Sequence, residues 1–121
     1  MHFDISICTI SDSSSIKDAL HGVNENQYGF IFIINSNEEV VGLVTDGDIR
    51  RSLLEGVTLD DSVLKCANSE FRWAGLDSPR EKLIKELDGH IHFLPILDDS
   101  RKLNSIVSKE YLPLKQEEPV Y

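Results

Sequence analysis

The sequence predicts an α+β protein built from two copies of one small βαββα-type unit that pack through their sheets. Three observations lead there. Sliding the chain against itself by 63 positions aligns it without a gap. Ser15 then falls on Ser78, Leu20 on Leu83, Phe30 on Phe93, Ile33-Ile34 on Ile96-Leu97, and Leu43-Val44-Thr45 on Ile106-Val107-Ser108. Residue class is kept through helix, strand, turn and strand, which is the mark of a repeat. The apolar run at 30–34 is short and rich in β-branched and aromatic residues, so it reads as a strand buried on both faces, and 91–97 reads as its counterpart strand. Finally, 121 residues that are 40% hydrophobic and 27% charged suit one globular domain or two half-sized units. A unit of about 55 residues is marginal alone, so the two should share their burial.

The elements follow in order. Ser13-Ser14-Ser15 offers N-cap hydroxyls to a helix over 16–23, where Ile16, Ala19, Leu20 and Val23 recur at helical spacing. Residues 24–27 are polar and turn-like. The strand 30–34 turns through Asn35-Ser36-Asn37-Glu38 into a returning strand over 40–45. Asp46 or Thr45 then caps a helix over 47–54 that stops at Gly56. In the second copy, 63–67 reads as a helical turn and 71–74 as an extended lead-in, with Trp73 matching Ile10 and so expected in the core or at a cleft edge. Asp77-Ser78-Pro79 starts a helix with Leu83, Ile84 and Leu87 on its apolar face, and Gly89 ends it. A strand over 91–97, a turn at 98–101 and a strand over 103–108 complete the copy. The repeats are thus 1–58 and 59–112, and 113–121, with two prolines, reads as a linker-like tail leading to a catalytic domain.

Charge narrows the partners. Twelve Lys+Arg against twenty-one Asp+Glu give a net charge of −9, which opposes binding to nucleic-acid backbone or to an anionic membrane surface. The longest apolar run is far shorter than the roughly twenty residues that span a bilayer. Nothing at Met1-His2-Phe3-Asp4-Ile5 reads as a signal peptide. Two cysteines, Cys8 and Cys66, stand in no motif and suit a reducing, cytoplasmic location.

The segment Val41-Gly42-Leu43-Val44-Thr45-Asp46-Gly47-Asp48-Ile49-Arg50-Arg51 carries the most chemistry. A strand that runs straight into a helix leaves free N–H groups at the helix start, a natural seat for an anion. Asp48 in the first turn can accept hydrogen bonds from a ribose diol. Arg50 and Arg51 can neutralise phosphate, and Gly47 allows close backbone approach. A plainer reading stands beside this one: Thr45 as N-cap, and Asp46 and Asp48 as dipole partners, with no ligand.

The segment resembles the signature of cystathionine-β-synthase (CBS) domains: Gly, apolar residues, Thr or Ser, two variable positions, then Asp opening a helix. The resemblance covers roughly residues 7–112 and is strong in the first copy and weak in the second. It implies a regulatory CBS-domain pair that performs no chemistry itself, binds AMP, ADP or ATP between its sheets without a required cofactor, and assembles as a homodimer. It implies contacts from Thr45 and Asp48 to ribose and phosphate, with Ile10 and Phe32 as candidates for contact with the base. In the second copy Ser105 replaces Gly42, Tyr111 stands at the position of Asp48 and Pro113 at that of Arg50, so only Ser108 carries over and one competent half-site at most is expected. The Asp-Gly-Asp-Ile-Arg-Arg form resembles CBS pairs attached to bacterial sugar-phosphate enzymes, above all nucleotidyltransferases with the pair at the N-terminus. A ligand-free pair that only dimerises a sugar kinase or other host is the alternative.

Other features are weaker. His90 and His92 share a strand face and make half of a metal site at most. Asp46-Gly47-Asp48 begins like a calcium loop, but Val57 occupies the place of its closing Glu. Cys66 has no context for a nucleophile, and no acid–base constellation emerges, so the chain as given is expected not to be an enzyme.

Overall fold

The computed structural model describes residues 3–87, 91–109 and 112. Residues 6–71 form one compact unit; the chain from 72 onward, with residues 3–5, forms the other. Each unit holds a three-stranded sheet of the same topology. In the first, β1 (Thr9–Ser11) runs parallel to β2 (Phe30–Ile34), which pairs antiparallel with β3 (Val40–Thr45). In the second, β4 (Ala74–Gly75), β5 (Phe93–Leu97) and β6 (Leu103–Ser108) repeat that arrangement. The expected α+β architecture of two βαββ units is the observed one.

The hairpins agree pair for pair at the offset of 63. Phe30 lies opposite Thr45 and Phe93 opposite Ser108, while Ile33 faces Gly42 as Ile96 faces Ser105. Both hairpins slip register at the same place, between Ile33 and Ile34 and between Ile96 and Leu97. Their turns match to the hydrogen bond. Asn35 Oδ1 accepts from the backbone N–H of Asn37 and Glu39 at 2.9 and 3.0 Å, as Asp98 Oδ1 does from Ser100 and Lys102 at 2.9 Å each. Each turn ends in a left-handed residue, Glu38 (φ 65°) and Arg101 (φ 64°).

The lead-in strands do not keep that offset. Ile10 pairs with Ile33, but Ala74 rather than Trp73 pairs with Ile96. The structural partner of Ile10 is therefore Ala74. Side chains alternate along a strand, so one step turns Trp73 off the buried face. Trp73 is 43% exposed, with the Arg101 guanidinium 5.1 Å from its ring centroid, and is not a core residue.

Helix α1 (Ile16–Asn26) starts at Ser15, whose hydroxyl accepts from Asp18 N while the Asp18 carboxylate accepts from Ser15 N. It runs three residues beyond its expected end. Asn26, a poor helix former by propensity, is buried there, and its amide donates to the carbonyls of Ile7 and Phe30 while its oxygen accepts from Tyr28 N. Those bonds tie the end of α1 to the start of β2. Helix α2 (Asp46–Leu54) leads to Gly56 at φ 99°. Residues 59–71, which the repeat boundary at 58 gives to the second copy, pack on the first unit. Val63, in a 3₁₀ turn over Val63–Lys65, and Cys66 join Ile16, Ala19, Val23, Ile31, Ile33, Val44 and Ile49 in its core. Phe32 lies on the opposite face of the sheet, edge-on to Phe30 and Phe71.

In the second unit, Leu83 of helix α3 (Arg80–Glu86) and its C-cap Leu87 form a core with Ala74, Leu94, Ile96 and Val107 of the sheet. Strand β5 begins two residues later than expected. The expected positions of Gly89, His90, Tyr111 and the tail 113–121 lie outside the described residues, as does any helix after β6. No helix among the described residues is long and apolar enough to cross a membrane.

Candidate functional site

The candidate site stands where β3 passes into α2. Thr45 ends the strand in extended conformation (φ −107°, ψ 165°) and is the N-cap of α2, so Asp46 is the first helical residue. The Thr45 hydroxyl accepts from Asp48 N at 3.1 Å, and Asp48 Oδ2 accepts from Thr45 N at 3.0 Å. This reciprocal box satisfies two of the donors that a helix start leaves open. It leaves usable chemistry in place: the Thr45 hydroxyl proton remains free to donate, and each Asp48 oxygen retains a lone pair.

Both arginines of the motif are already paired. Arg50 Nη1 lies 3.2 Å from Asp46 Oδ2, and Arg51 Nη2 lies 2.5 Å from Asp48 Oδ1. Their side chains are 69% and 67% exposed, against 20% for Asp48. The first two turns of α2 thus carry two acids and two bases, a locally neutral surface rather than a basic patch. Gly47 leaves the space between Arg51 and Thr45 open. A Cβ there would stand 3.5 Å from Arg51 Nη1 and 3.8 Å from the Thr45 hydroxyl, in ordinary contact with both.

Two neighbours escaped the sequence reading. Cys66 comes close enough to Asp48 for the carboxylate charge to act on it. Burial first, and that charge second, push the Cys66 thiol above its ordinary value, so it stays neutral. Its Sγ donates to the Val63 carbonyl at 3.3 Å. No sequence spacing announces a contact between residues 18 apart. The second neighbour is Tyr28, a half-buried aromatic stacked on Phe30 at 5.9 Å. The bond from Asp46 N to Gly29 O, 3.0 Å, holds its segment beside the α2 start. Left-handed Gln27 and Gly29 flank it, a signal visible only as a Gln-Tyr-Gly turn in the sequence.

The remaining candidates lie on other strands. Ile10 is half-buried on β1, opposite Ile33. Phe32 has no exposed surface. Ser108 is buried at the end of β6, opposite Phe93, in the position equivalent to Thr45. Among the described residues no group of three or more His, Cys, Asp or Glu side chains could hold a metal ion, and His90 is not among them.

The CBS-domain family profile matches residues 4–55, the stretch that contains β1 to α2 and the whole Gly42-to-Asp48 signature. Residues 4–55 are a CBS domain. The CBS-domain fold extends over both units, because solved CBS structures superpose on most of the chain. A CBS-domain protein of Pyrobaculum aerophilum complexed with AMP matches with a TM-score of 0.73 and 15% identity, over 91% of this chain and 88% of that one. The CbpB protein of Listeria monocytogenes in complex with c-di-AMP matches with a TM-score of 0.77 and 16% identity, over 91% and 86%. In sequence, an uncharacterized protein of Helicobacter pylori (strain J99) is 34% identical over 100 residues, 81% of this chain but 30% of that protein. The arabinose 5-phosphate isomerase of Yersinia pestis is 32% identical over 62 residues, 51% of this chain and 19% of the enzyme. The chain therefore spans less than a third of these curated relatives.

Proposed function

We propose that the chain is a tandem CBS module that senses an adenine nucleotide and regulates a host enzyme without performing chemistry itself. The observation that carries this reading is the Thr45–Asp48 pair at the start of α2, in a fold whose relatives are complexed with AMP and c-di-AMP. In this reading the Asp48 carboxylate accepts from the ribose diol. The Thr45 hydroxyl donates to phosphate over the open surface of Gly47. Arg51 swings from Asp48 to the phosphate, and Arg50 follows it less closely from Asp46. Ile10 and Tyr28 flank the base. Phe32, fully enclosed, supports that surface from behind. Ser108 is the one motif residue left for a second half-site. Ligand would bias one arrangement of the two units and so shift the host's equilibrium.

The host in this reading is a cytoplasmic sugar-phosphate enzyme, and a nucleotidyltransferase carrying the pair at its N-terminus is our specific proposal. The match to a sugar-phosphate isomerase supports the enzyme class. One observation favours a second reading, a ligand-free module that dimerises its host: the box closes on itself and both arginines are paired with carboxylates of the same helix. Calorimetric titration with AMP, ADP, ATP and CMP separates the two. Saturable binding that disappears in Asp48→Ala and survives in Thr45→Ser supports sensing. Absence of heat and of thermal shift with every nucleotide supports the dimerisation role.

A further inference from the structure

A groove of about 730 Å³ opens on the second unit, lined by Leu76, Ser78, Pro79, Arg80, Ile96 and Ser105 among others. Subtracting 63 maps those six positions onto Ser13, Ser15, Ile16, Lys17, Ile33 and Gly42 of the first unit. There, the corresponding groove is filled. Residues 58–63 cross the start of α1, turning at 58–61, where Asp61 N donates to Thr58 O at 3.1 Å: Lys17 N donates to Leu59 O, Ile16 N to Asp61 O, and Val63 N to Ser14 O, all at 2.9 Å. Ser15 and Ser62 form a β-bridge, and beyond it the Ala67 side chain closes over Gly42, 3.3 Å from where a Cβ would stand. Among the described residues no segment crosses the start of α3 in this way.

The second groove keeps the means to hold such a segment. Pro79, standing where Ile16 stands, has no N–H to give. Arg80, the next residue, brings a replacement donor: its Nε is buried in the groove wall without a hydrogen-bond partner. A buried donor left unpaired is costly, so a carbonyl laid across it is favoured. Charge also fits. Lys82 and Lys85 line an adjoining depression that shares Pro79 and Glu81. Taken together, the groove and this depression are lined by three cations, Arg80, Lys82 and Lys85, and two anions, Asp77 and Glu81. The segment that fills the first groove carries Asp60 and Asp61.

We infer that the second-unit groove is a docking site for an acidic segment of polypeptide, supplied by the part of the longer protein outside residues 1–121 and seated as residues 58–63 sit on the first unit. The inference rests on the proposed attachment to a larger host, since the match to this chain covers only 30% of the Helicobacter pylori relative. It is independent of any nucleotide.

The probe is a fluorescein-labelled peptide with the sequence of residues 57–64, titrated against the 121-residue chain by fluorescence anisotropy without nucleotide. Saturable binding is expected. It should weaken at least fivefold in Arg80→Ala, and at least tenfold in a peptide with both aspartates changed to lysine. Ser105→Trp, which fills the groove, should abolish it, and circular dichroism melting confirms that each variant is folded. Arg80 is only partly buried, so Arg80→Ala keeps the test open if the bulkier change unfolds the protein. No saturation at millimolar peptide, or binding unchanged in the folded variants, overturns the proposal. Nucleotide titration of the same samples fails or succeeds separately and judges only the sensing reading.

Discussion

Replacing Thr45 by alanine removes the hydroxyl that receives Asp48 N, and leaves the Asp48 carboxylate as the only half of the box. The freed N–H lies at a half-buried helix start that water reaches, so the cost is that of a lost N-cap, about 1 kcal/mol within a range of roughly 0.5–2. For a unit of this size that lowers Tm by roughly 4–8 °C. Asp48→Ala should cost a similar amount, because it takes away the acceptor of Thr45 N and the partner of Arg51. The two halves position each other, so the double variant should lose about 0.5 kcal/mol or more less than the two single losses together. Thr45→Ser, which keeps the hydroxyl, should melt within a degree or two of the parent. Urea denaturation of the four proteins gives the cycle, and nucleotide titration on the same samples separates cap from ligand contact. Strict additivity, or a Thr45→Ala melting point equal to the parent's, would refute the reciprocal box as the element that builds the site.

Other outcomes follow from the same structure. Asn26→Leu strips three hydrogen bonds from a buried position and should destabilise the first unit by about 2 kcal/mol or more, read as a lower urea midpoint. Gly56→Ala forces a side chain onto a residue at φ 99° and should cost about 1 kcal/mol, checked by thermal melting. The Asp18 carboxyl is held below its ordinary value mainly by the Ser15 N–H, and Asp61 by the Thr58 N–H. A lowered folded-state value means that their stabilisation is complete above the unfolded carboxyl value, about pH 4, and is lost as pH falls through the folded one. Asp18→Asn should therefore lower the neutral plateau of a stability–pH profile and flatten its acid limb, so that variant and parent converge at low pH. Cys8 and Cys66 are both buried, and the Cys66 thiol is raised, so Ellman's reagent at pH 7.5 should label neither within minutes until denaturant is added.

The hairpins were the most legible part of the sequence, for a physical reason. A strand buried on both faces tolerates only apolar residues, and a side-chain-closed turn needs Asn or Asp at its first position. Phe30-to-Thr45 and Phe93-to-Ser108 therefore keep phase to the residue. The lead-in strand carries no such constraint. It is two residues long in the second unit, and the apolar match of Trp73 to Ile10 pointed one position away from the true pairing of Ala74 with Ile96. Helix α1 was cut short because Asn24 and Asn26 read as turn formers; burial of Asn26 with its bonds satisfied overrides propensity. At the site, the order Thr45, Gly47 and Asp48 was readable because the cap and the ligand motif use the same residues. The approach of Cys66 to Asp48 was not, since it depends on how residues 59–68 fold back on the first unit. The pairing of both arginines was also hidden, because helical spacing allows an i,i+4 bridge without requiring it.

The placement of Trp73 has a practical consequence. It is the chain's single tryptophan, it belongs to the second unit, and its ring meets both solvent and the Arg101 guanidinium. Its emission therefore reports on that unit alone, while far-ultraviolet dichroism is weighted toward the longer helices α1 and α2 of the first. Denaturation followed by both signals measures whether the two halves melt as one. Coincident curves would mean that the halves share a single cooperative transition, and separated curves would give each repeat its own stability from an unlabelled, unmodified chain.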